Sequence, residues 1–224
     1  MTFNYTLIGG FAFNTQALAW FQPFNVASQA FDINNLLSAP FDLDDLAQAI
    51  ILKLAPHQQT TLIAYSTGGL VAMKIALLRP DLITQLIFIN STPKFIETDA
   101  WRGIKYKDAQ RLSLKVATLA LNAFMRHFTR VAALPHAVNA VDYSRWWSET
   151  SQENLTALMT ILIETDLRAE LKKITAPMVF IHSALDSLVL ENPLPYPQRY
   201  LQDSTHIALN QSELATLVSS ILWP

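Results

Sequence analysis

The stretch TTLIAYSTGGLVAMKIALLRP, from Thr60 to Pro80, decides the fold. A short apolar run with β-branched residues stops at a small-x-Ser-x-Gly turn, and helical spacing then continues until a proline. This order predicts a strand, a sharp turn and a helix. In a nucleophile elbow such a turn leaves room only for small neighbours and holds the serine hydroxyl above the sheet edge. Ser66 is therefore a candidate nucleophile, although the pentapeptide alone also fits a serine in an ordinary βα loop.

Composition narrows the class of protein. The chain has 224 residues, 51% of them hydrophobic, which is enough for one domain with an inserted subdomain. A net charge of -2 argues against a nucleic-acid partner, and the absence of cysteine excludes disulfides and thiolate metal sites. The N-terminus lacks a basic segment ahead of an apolar one, and no run of about 18 apolar residues occurs. We expect a cytoplasmic monomer without a membrane partner.

The segments around the elbow predict a parallel α/β sheet. Apolar strand patterns alternate with helical ones, and the strand at 83–90 is apolar enough to be buried on both faces. Asp42 suits a helix N-cap, so we assign the acidic run that follows it to helix stability. The remaining predicted elements before residue 93 are strands at 3–8 and 29–33, a short helix at 14–21 and a helix at 46–54.

The first predicted strand ends at Gly9-Gly10-Phe11. Glycines at a strand end let the backbone approach a ligand closely, and the next N–H could point at a developing oxyanion. A plain turn fits this stretch equally well.

The alternation of strand and helix patterns stops after residue 93. Residues 94–172 show helical spacing and no convincing strand, which predicts an inserted helical lid. The α/β pattern returns afterwards, with strands at 174–182 and 199–201 and a helix at 210–222. We therefore expect a core of residues 1–93 and 173–224 with the lid between its two parts.

A serine nucleophile needs a base, and the base needs an acid that fixes its tautomer. Asp186 follows the strand that ends near His182, and His206 follows the short strand at 199–201. The order Ser66, Asp186, His206 is the one found in doubly wound hydrolases. Asp203 is a weaker candidate for the acid. The other histidines are better explained by surface, packing or structural roles: His57, His127, His136 and His182.

Nothing in the sequence predicts a metal or another cofactor. The histidines are scattered, with no His-Glu-x-x-His motif. Gly68-Gly69 lacks the three spaced glycines of a dinucleotide site.

The chain resembles the α/β-hydrolase superfamily and, within it, the carboxylesterases that hydrolyse pimeloyl-acyl-carrier-protein methyl ester in biotin synthesis. The resemblance is carried by these segments: Gly68-Gly69-Leu70-Val71-Ala72 with Arg79-Pro80, Ser91-Thr92-Pro93 with Phe95, Trp101-Arg102-Gly103-Ile104, and Asp166-Leu167-Arg168. It implies an α/β-hydrolase fold, a mostly parallel sheet flanked by helices, with the inserted lid. It also implies no cofactor and an acyl-ester substrate, either free or bound to an acyl carrier protein.

Position by position, the resemblance implies Ser66, Asp186 and His206 as the catalytic triad. The backbone N–H groups of Phe11 and Thr67 would then form the oxyanion hole, and Phe11 and Trp101 would line the substrate site. Gly9-Gly10 replaces the His-Gly of the family, and Ala64 replaces a glycine at the elbow. Only twenty positions separate the acid from the base, so an element between them is shortened or lost.

Charge is distributed unevenly. Residues 92–150 contain nine Lys or Arg and five acids, a net charge of +4, so the remainder carries -6 to give the total of -2. A basic lid would steer an acidic partner such as an acyl carrier protein, although solvation of helices by Lys and Arg explains the bias equally well. The candidate docking residues are Arg102, Arg111, Arg126 and Arg130.

These features predict a serine carboxylesterase. Two alternatives remain open. One is another reaction on the same triad, such as that of a small-molecule esterase, a thioesterase, a lactonase or the menaquinone-pathway lyase, and the other is a hydrolase-fold ligand-binding protein with a dead site.

Overall fold

The computed structural model describes residues 5–18, 28–54, 58–207 and 209–223. Six strands form one sheet in the order β2-β1-β3-β4-β5-β6, and every neighbouring pair is parallel. The predicted parallel α/β architecture is confirmed. The strands are β1 (Tyr5–Ile8), β2 (Ser28–Phe31), β3 (Thr60–Tyr65), β4 (Ile83–Ile89), β5 (Met178–Ser183) and β6 (Gln198–Leu201). The α-helices are α1 (Leu43–Ile51), α2 (Gly68–Leu78), α3 (Tyr106–Thr118), α4 (Leu121–Ala132), α5 (Gln152–Glu164) and α6 (Gln211–Leu222).

Local sequence signals explain where these helices begin. Asp42 caps α1, accepting from the Asp45 N–H at 2.9 Å, while the Asp45 carboxylate accepts from the Asp42 N–H at 3.0 Å. Asn210 likewise caps α6 by accepting from the Glu213 N–H. The side chains of these two capping residues thus satisfy orphan helix N–H groups, as the sequence predicts. Of the predicted helix at 14–21, residues 15–18 form a 3₁₀ turn, and the remainder lies outside the described residues, as does His57.

Two layers of helix bury the two faces of the sheet. Alternate strand residues such as Leu62 and Ala64 belong to a core cluster shared with α1, α2 and the helices between β4 and β5. Ile63 and Tyr65 face the other way and pack with Leu214 of α6. Because side chains alternate along a strand, a fully apolar strand is what a sheet covered on both faces requires.

The carboxyl ends of the strands meet at one edge. Ile8 at the end of β1 is opposite Ala64 of β3, and Tyr65 is opposite Ile89 of β4. Ser183 closes β5 opposite Leu201 of β6. The sheet order reverses between β1 and β3, so the loops after these strands diverge and leave a crevice, the usual place for a site in such sheets.

The described residues between β4 and β5 form α3, α4, a 3₁₀ segment at Ala140–Trp146 and α5. This segment contributes isolated bridges but no strand of the sheet. No helix among the described residues combines the length and apolarity needed to cross a membrane.

Candidate active site

Ser66 stands in the sharp turn between β3 and α2. Its φ of 53° is in the left-handed region, which non-glycine residues adopt at a cost and which is common at functional turns. The Ser66 N–H donates to the Ile89 carbonyl at 2.9 Å, and its carbonyl accepts from the Ser91 hydroxyl at 2.7 Å. The strained backbone is therefore held from the end of the neighbouring strand.

The tightness of this turn explains its glycines. A Cβ added to Gly68 would lie 2.3 Å from the Gly9 carbonyl oxygen and 2.8 Å from that of Ile8. Only glycine lets the start of α2 pass so close to the end of β1.

Ser66, His206 and Asp186 are joined by hydrogen bonds. Ser66 Oγ lies 2.8 Å from His206 Nε2, and His206 Nδ1 lies 2.7 Å from Asp186 Oδ2. Because an ionised carboxylate only accepts, Nδ1–H donates to Asp186, and Nε2 is left to accept the Ser66 proton. The arrangement is that of a nucleophile, a base and an orienting acid.

The second oxygen of Asp186 is fixed as well. Oδ1 accepts the backbone N–H groups of Leu188 at 2.7 Å and Val189 at 3.0 Å. The His206 imidazole contacts Asp186 and not Asp203, which lies exposed in the turn after β6.

All three side chains are buried, with Ser66 only 5% exposed. Helix α4 reaches each surrounding loop. Phe128 packs edge-on against Phe11, with ring centroids 5.0 Å apart, the Ile207 N–H donates to the Ala132 carbonyl, and the Ser187 hydroxyl donates to the Val131 carbonyl. Helix α4 therefore lies against the loops that surround the triad.

Phe11 lies in the loop after β1, beside the elbow. Asn34 braces this loop: its Oδ1 accepts the Ala12 N–H at 2.7 Å, and its amide nitrogen donates to the carbonyls of Gly10 and Phe13. No hydrogen bond within the described part of the chain occupies the N–H of Phe11 or of Thr67. Both amides are thus available to a developing oxyanion.

Gly10 brings the Phe11 loop against the nucleophile. A Cβ at Gly10 would lie 2.9 Å from Ser66 Cβ, whereas one at Gly9 would meet nothing closer than 3.3 Å. We predict that Gly10→Ala displaces the loop or Ser66 and lowers kcat about 100-fold, since small misplacements are this costly. Gly9→Ala is the matched control and should cost far less. Steady-state kinetics on a p-nitrophenyl ester check this, and equal effects of the two variants would contradict it.

Trp101 lies at the entrance of the inserted segment. Its indole N–H donates to the Lys94 carbonyl at 2.9 Å, and the Arg168 guanidinium stacks 5.4 Å from its ring centre. Hydrogen bonds from Arg168, with help from Lys94, hold the pKa of Asp166 well below its usual range. The described contacts of Trp101 are with this ion-pair network and not with the triad, so its substrate-binding role stays a prediction.

The four candidate docking arginines are all exposed, and they do not all line one cavity. Arg111 lines a cavity of about 500 Å³ with Lys105, Lys115 and His127. Arg102 lines a different cavity of about 220 Å³ beside His182. Arg126 and Arg130 lie on exposed turns of α4. Arg130 is close enough to help lower the pKa of His127, after burial and Lys115.

His182 lies on β5, four residues before Asp186. It is buried, neither ring nitrogen has a hydrogen-bond partner among the described residues, and burial lowers its pKa. In the described part of the chain, no three His, Asp or Glu side chains are grouped as metal ligands.

Sequence reasoning missed the polar residues that support the triad: Asn34, Tyr65, Asn90 and Ser91. Asn90 and Ser91 directly follow the apolar strand β4, and polar residues at the carboxyl end of a central strand are a recognisable site signal. Asn34 carries no such signal. Tyr65 does end a central strand, but its bond to the His206 carbonyl joins segments far apart in sequence.

Comparison with known proteins identifies the family of this chain. The family model Hydrolase_4, described as serine aminopeptidase, S33, matches residues 29–203. The chain belongs to this family. The resemblance to α/β-hydrolases is thereby confirmed, and the elbow and the strand that precedes Asp186 both lie within the matched part of this Hydrolase_4 chain.

Curated relatives are similar over most of the chain. A pimeloyl-[acyl-carrier protein] methyl ester esterase of Vibrio parahaemolyticus is 32% identical, over 75% of this chain and 72% of the relative. A protein of the same name from Aliivibrio salmonicida is 30% identical, over 80% of this chain and 69% of the relative.

Solved structures share the fold of this Hydrolase_4 member at low sequence identity. A bromoperoxidase from Bacillus anthracis superposes with a TM-score of 0.82 at 18% identity, covering 99% of this chain and 91% of that chain. An esterase from Exiguobacterium antarcticum gives 0.81 at 17% identity, covering 100% and 94%. These likenesses support the α/β-hydrolase fold and not a particular reaction.

Proposed function

We propose that this Hydrolase_4 member is a serine carboxylesterase whose substrate is pimeloyl-acyl-carrier-protein methyl ester. The observation that carries the proposal is the hydrogen-bonded chain from Ser66 Oγ through the His206 imidazole to Asp186. The names of its curated relatives support the substrate.

Ser66 Oγ attacks the ester carbonyl carbon while His206 Nε2 takes the hydroxyl proton. The carbonyl oxygen becomes an oxyanion, which accepts hydrogen bonds from the Phe11 and Thr67 amides, each worth about 10²–10³ in rate. His206 then returns the proton to the leaving methanol, and the acyl group stays on Ser66. Water, deprotonated by His206, attacks the acyl-enzyme in the same way. Asp186 remains a carboxylate and stabilises the imidazolium.

Residues 94–172 are the lid of this enzyme, and residues 1–93 and 173–224 are its core. Phe124 and Phe128 of α4 pack with Phe11 at centroid distances of 6.0 and 5.0 Å. This aromatic contact would form the wall of an apolar acyl site, and substrate entry requires α4 to move away from the buried Ser66.

The cavity between α3 and α4 suits an acyl group carried on an acidic protein. Its lining combines the apolar side chains of Ile104, Leu112 and Leu188 with Lys115 and with Arg111, which is ion-paired with Asp108 in the same lining. Leu188 is two residues from Asp186, so the cavity adjoins the acid loop. Cations at its rim would favour an acidic partner and speed its association at low salt.

The test of the proposal is hydrolysis of pimeloyl-acyl-carrier-protein methyl ester beside free p-nitrophenyl esters of graded chain length, at two salt concentrations. We expect a preference for the carrier-bound ester that weakens as salt rises. Brisk turnover of short free esters without a carrier preference would contradict the substrate assignment and leave a small-molecule esterase.

The docking surface makes a separate prediction. Arg111→Glu with Arg130→Glu should raise KM for the carrier-bound ester about 10-fold at low salt, because both charges are reversed where the carrier docks. Turnover of a free p-nitrophenyl ester should not change. Lys172→Glu with Lys173→Glu is the matched control, since it reverses two exposed charges on the 3₁₀ turn before β5. An equal rise of KM in the control would contradict docking at α3 and α4.

A further inference from the structure

Asn90 directly follows β4, behind the triad. It is fully buried and has a φ of 45°, a left-handed conformation that asparagine tolerates better than most residues. The mechanism above does not use it. A buried amide in a strained conformation at this edge of the sheet requires an explanation.

The Asn90 side chain joins the end of β5 to the loop that carries the base. Its Oδ1 accepts the Ser183 N–H at 2.8 Å. Its amide nitrogen lies 2.9 Å from Ser183 Oγ, 3.2 Å from the Thr205 carbonyl oxygen and 3.1 Å from the His206 carbonyl oxygen. The Asn90 side chain thus accepts and donates hydrogen bonds at the same time. Among neutral side chains of this size and planar shape, only an amide does both.

The contacts of Asn90 matter because the base loop has little regular structure beside it. Residues 184–197, all described, contain no helix between β5 and β6. The His206 carbonyl is held by two side chains from the central strands, Asn90 and Tyr65, whose hydroxyl donates to it at 2.5 Å. The imidazole bonds to Ser66 and Asp186 orient the ring, whereas these two bonds fix the backbone from which the ring extends.

We propose that Asn90 is a positioning residue for His206. It holds the backbone of the base so that Nε2 stays within hydrogen-bond distance of Ser66 Oγ, and it therefore governs kcat and not substrate affinity. This inference rests on the proposed function of the triad. Leucine at this position would remove the donor that the Thr205 and His206 carbonyls share, and aspartate would turn an acceptor toward them.

Two variants separate positioning from packing. Asn90→Gly suits the left-handed backbone and removes every side-chain bond, whereas Asn90→Asp keeps the shape and the Ser183 N–H acceptor but removes the donor. Titration with a fluorophosphonate counts competent sites, so kcat is expressed per active enzyme. We expect kcat to fall about 10- to 100-fold in both variants, with KM within about twofold of wild type. Ser183→Ala, which removes only the hydroxyl bonded to Asn90, is the matched control and should stay within about twofold.

The outcomes distinguish the claims. An unchanged kcat per titrated site in Asn90→Gly, with only the melting temperature lowered, would overturn the inference. A wild-type kcat in Asn90→Asp would also overturn it, because the shape of the side chain, without its N–H donor, would then be enough to position His206. A wild-type protein that is neither labelled nor active on esters would overturn the proposed function as well as this inference.

Discussion

Ser66→Ala is expected to abolish ester hydrolysis, lowering kcat by roughly 10⁵-fold or more, as loss of a triad nucleophile does elsewhere. The substitution removes the one oxygen that lies 2.8 Å from His206 Nε2 and leaves the turn and its backbone bonds in place. The melting temperature should therefore change little. Substrate binding should persist, because the residues that line the cavities are untouched.

Ser187→Ala is the control for this experiment. Ser187 is exposed and follows Asp186, and among the described residues its hydroxyl makes one long contact, to the Val131 carbonyl at 3.4 Å. Its loss should leave kcat within about twofold of wild type. More than a hundredth of wild-type activity in Ser66→Ala, after contamination has been excluded, would contradict the assignment of the nucleophile.

Asp186→Asn is expected to lower kcat about 10⁴-fold with the fold intact. An amide at this position can turn its NH₂ toward His206 Nδ1, which favours the tautomer with the proton on Nε2. That nitrogen then cannot accept the Ser66 proton. The measurement is kcat on a p-nitrophenyl ester across pH.

Asp203→Asn is the matched control for Asp186→Asn. Asp203 lies three residues before His206 in a turn with a φ of 51°, which asparagine also accommodates. Its loss should change kcat by less than about twofold, since its carboxylate is exposed and has no bond to the imidazole. A larger loss of kcat in Asp203→Asn than in Asp186→Asn would contradict the account and identify Asp203 as the acid of the triad.

The sequence alone predicts the fold and the chain order of the candidate site well. The apolar run of β3, the turn at Ser66 and the spacing of α2 are local signals, and they agree with the structure. Asp186 and His206 follow later strands, and parallel strands bring the loops at their carboxyl ends together. Order along the chain was therefore enough to predict which side chains meet.

The supporting contacts could not be predicted in this way. Asn34 braces the Phe11 loop and Asn90 braces the His206 loop through bonds between segments 21 to 116 residues apart. Hydrophobic periodicity in the sequence does not predict such hydrogen-bonded pairs, because they depend on where loops fold back onto the sheet. For the same reason, the net charge of residues 92–150 placed Arg102 and Arg111 together as docking candidates, although the two side chains line different cavities.

The most direct test of the central claim is covalent labelling of the wild-type protein with a fluorophosphonate, followed by intact mass measurement and peptide mapping. The account predicts one adduct per chain, on Ser66, with ester hydrolysis lost in step with labelling. It also predicts no adduct in Ser66→Ala. An adduct on another residue, or hydrolysis that persists in fully labelled protein, would contradict a serine esterase built on Ser66, His206 and Asp186.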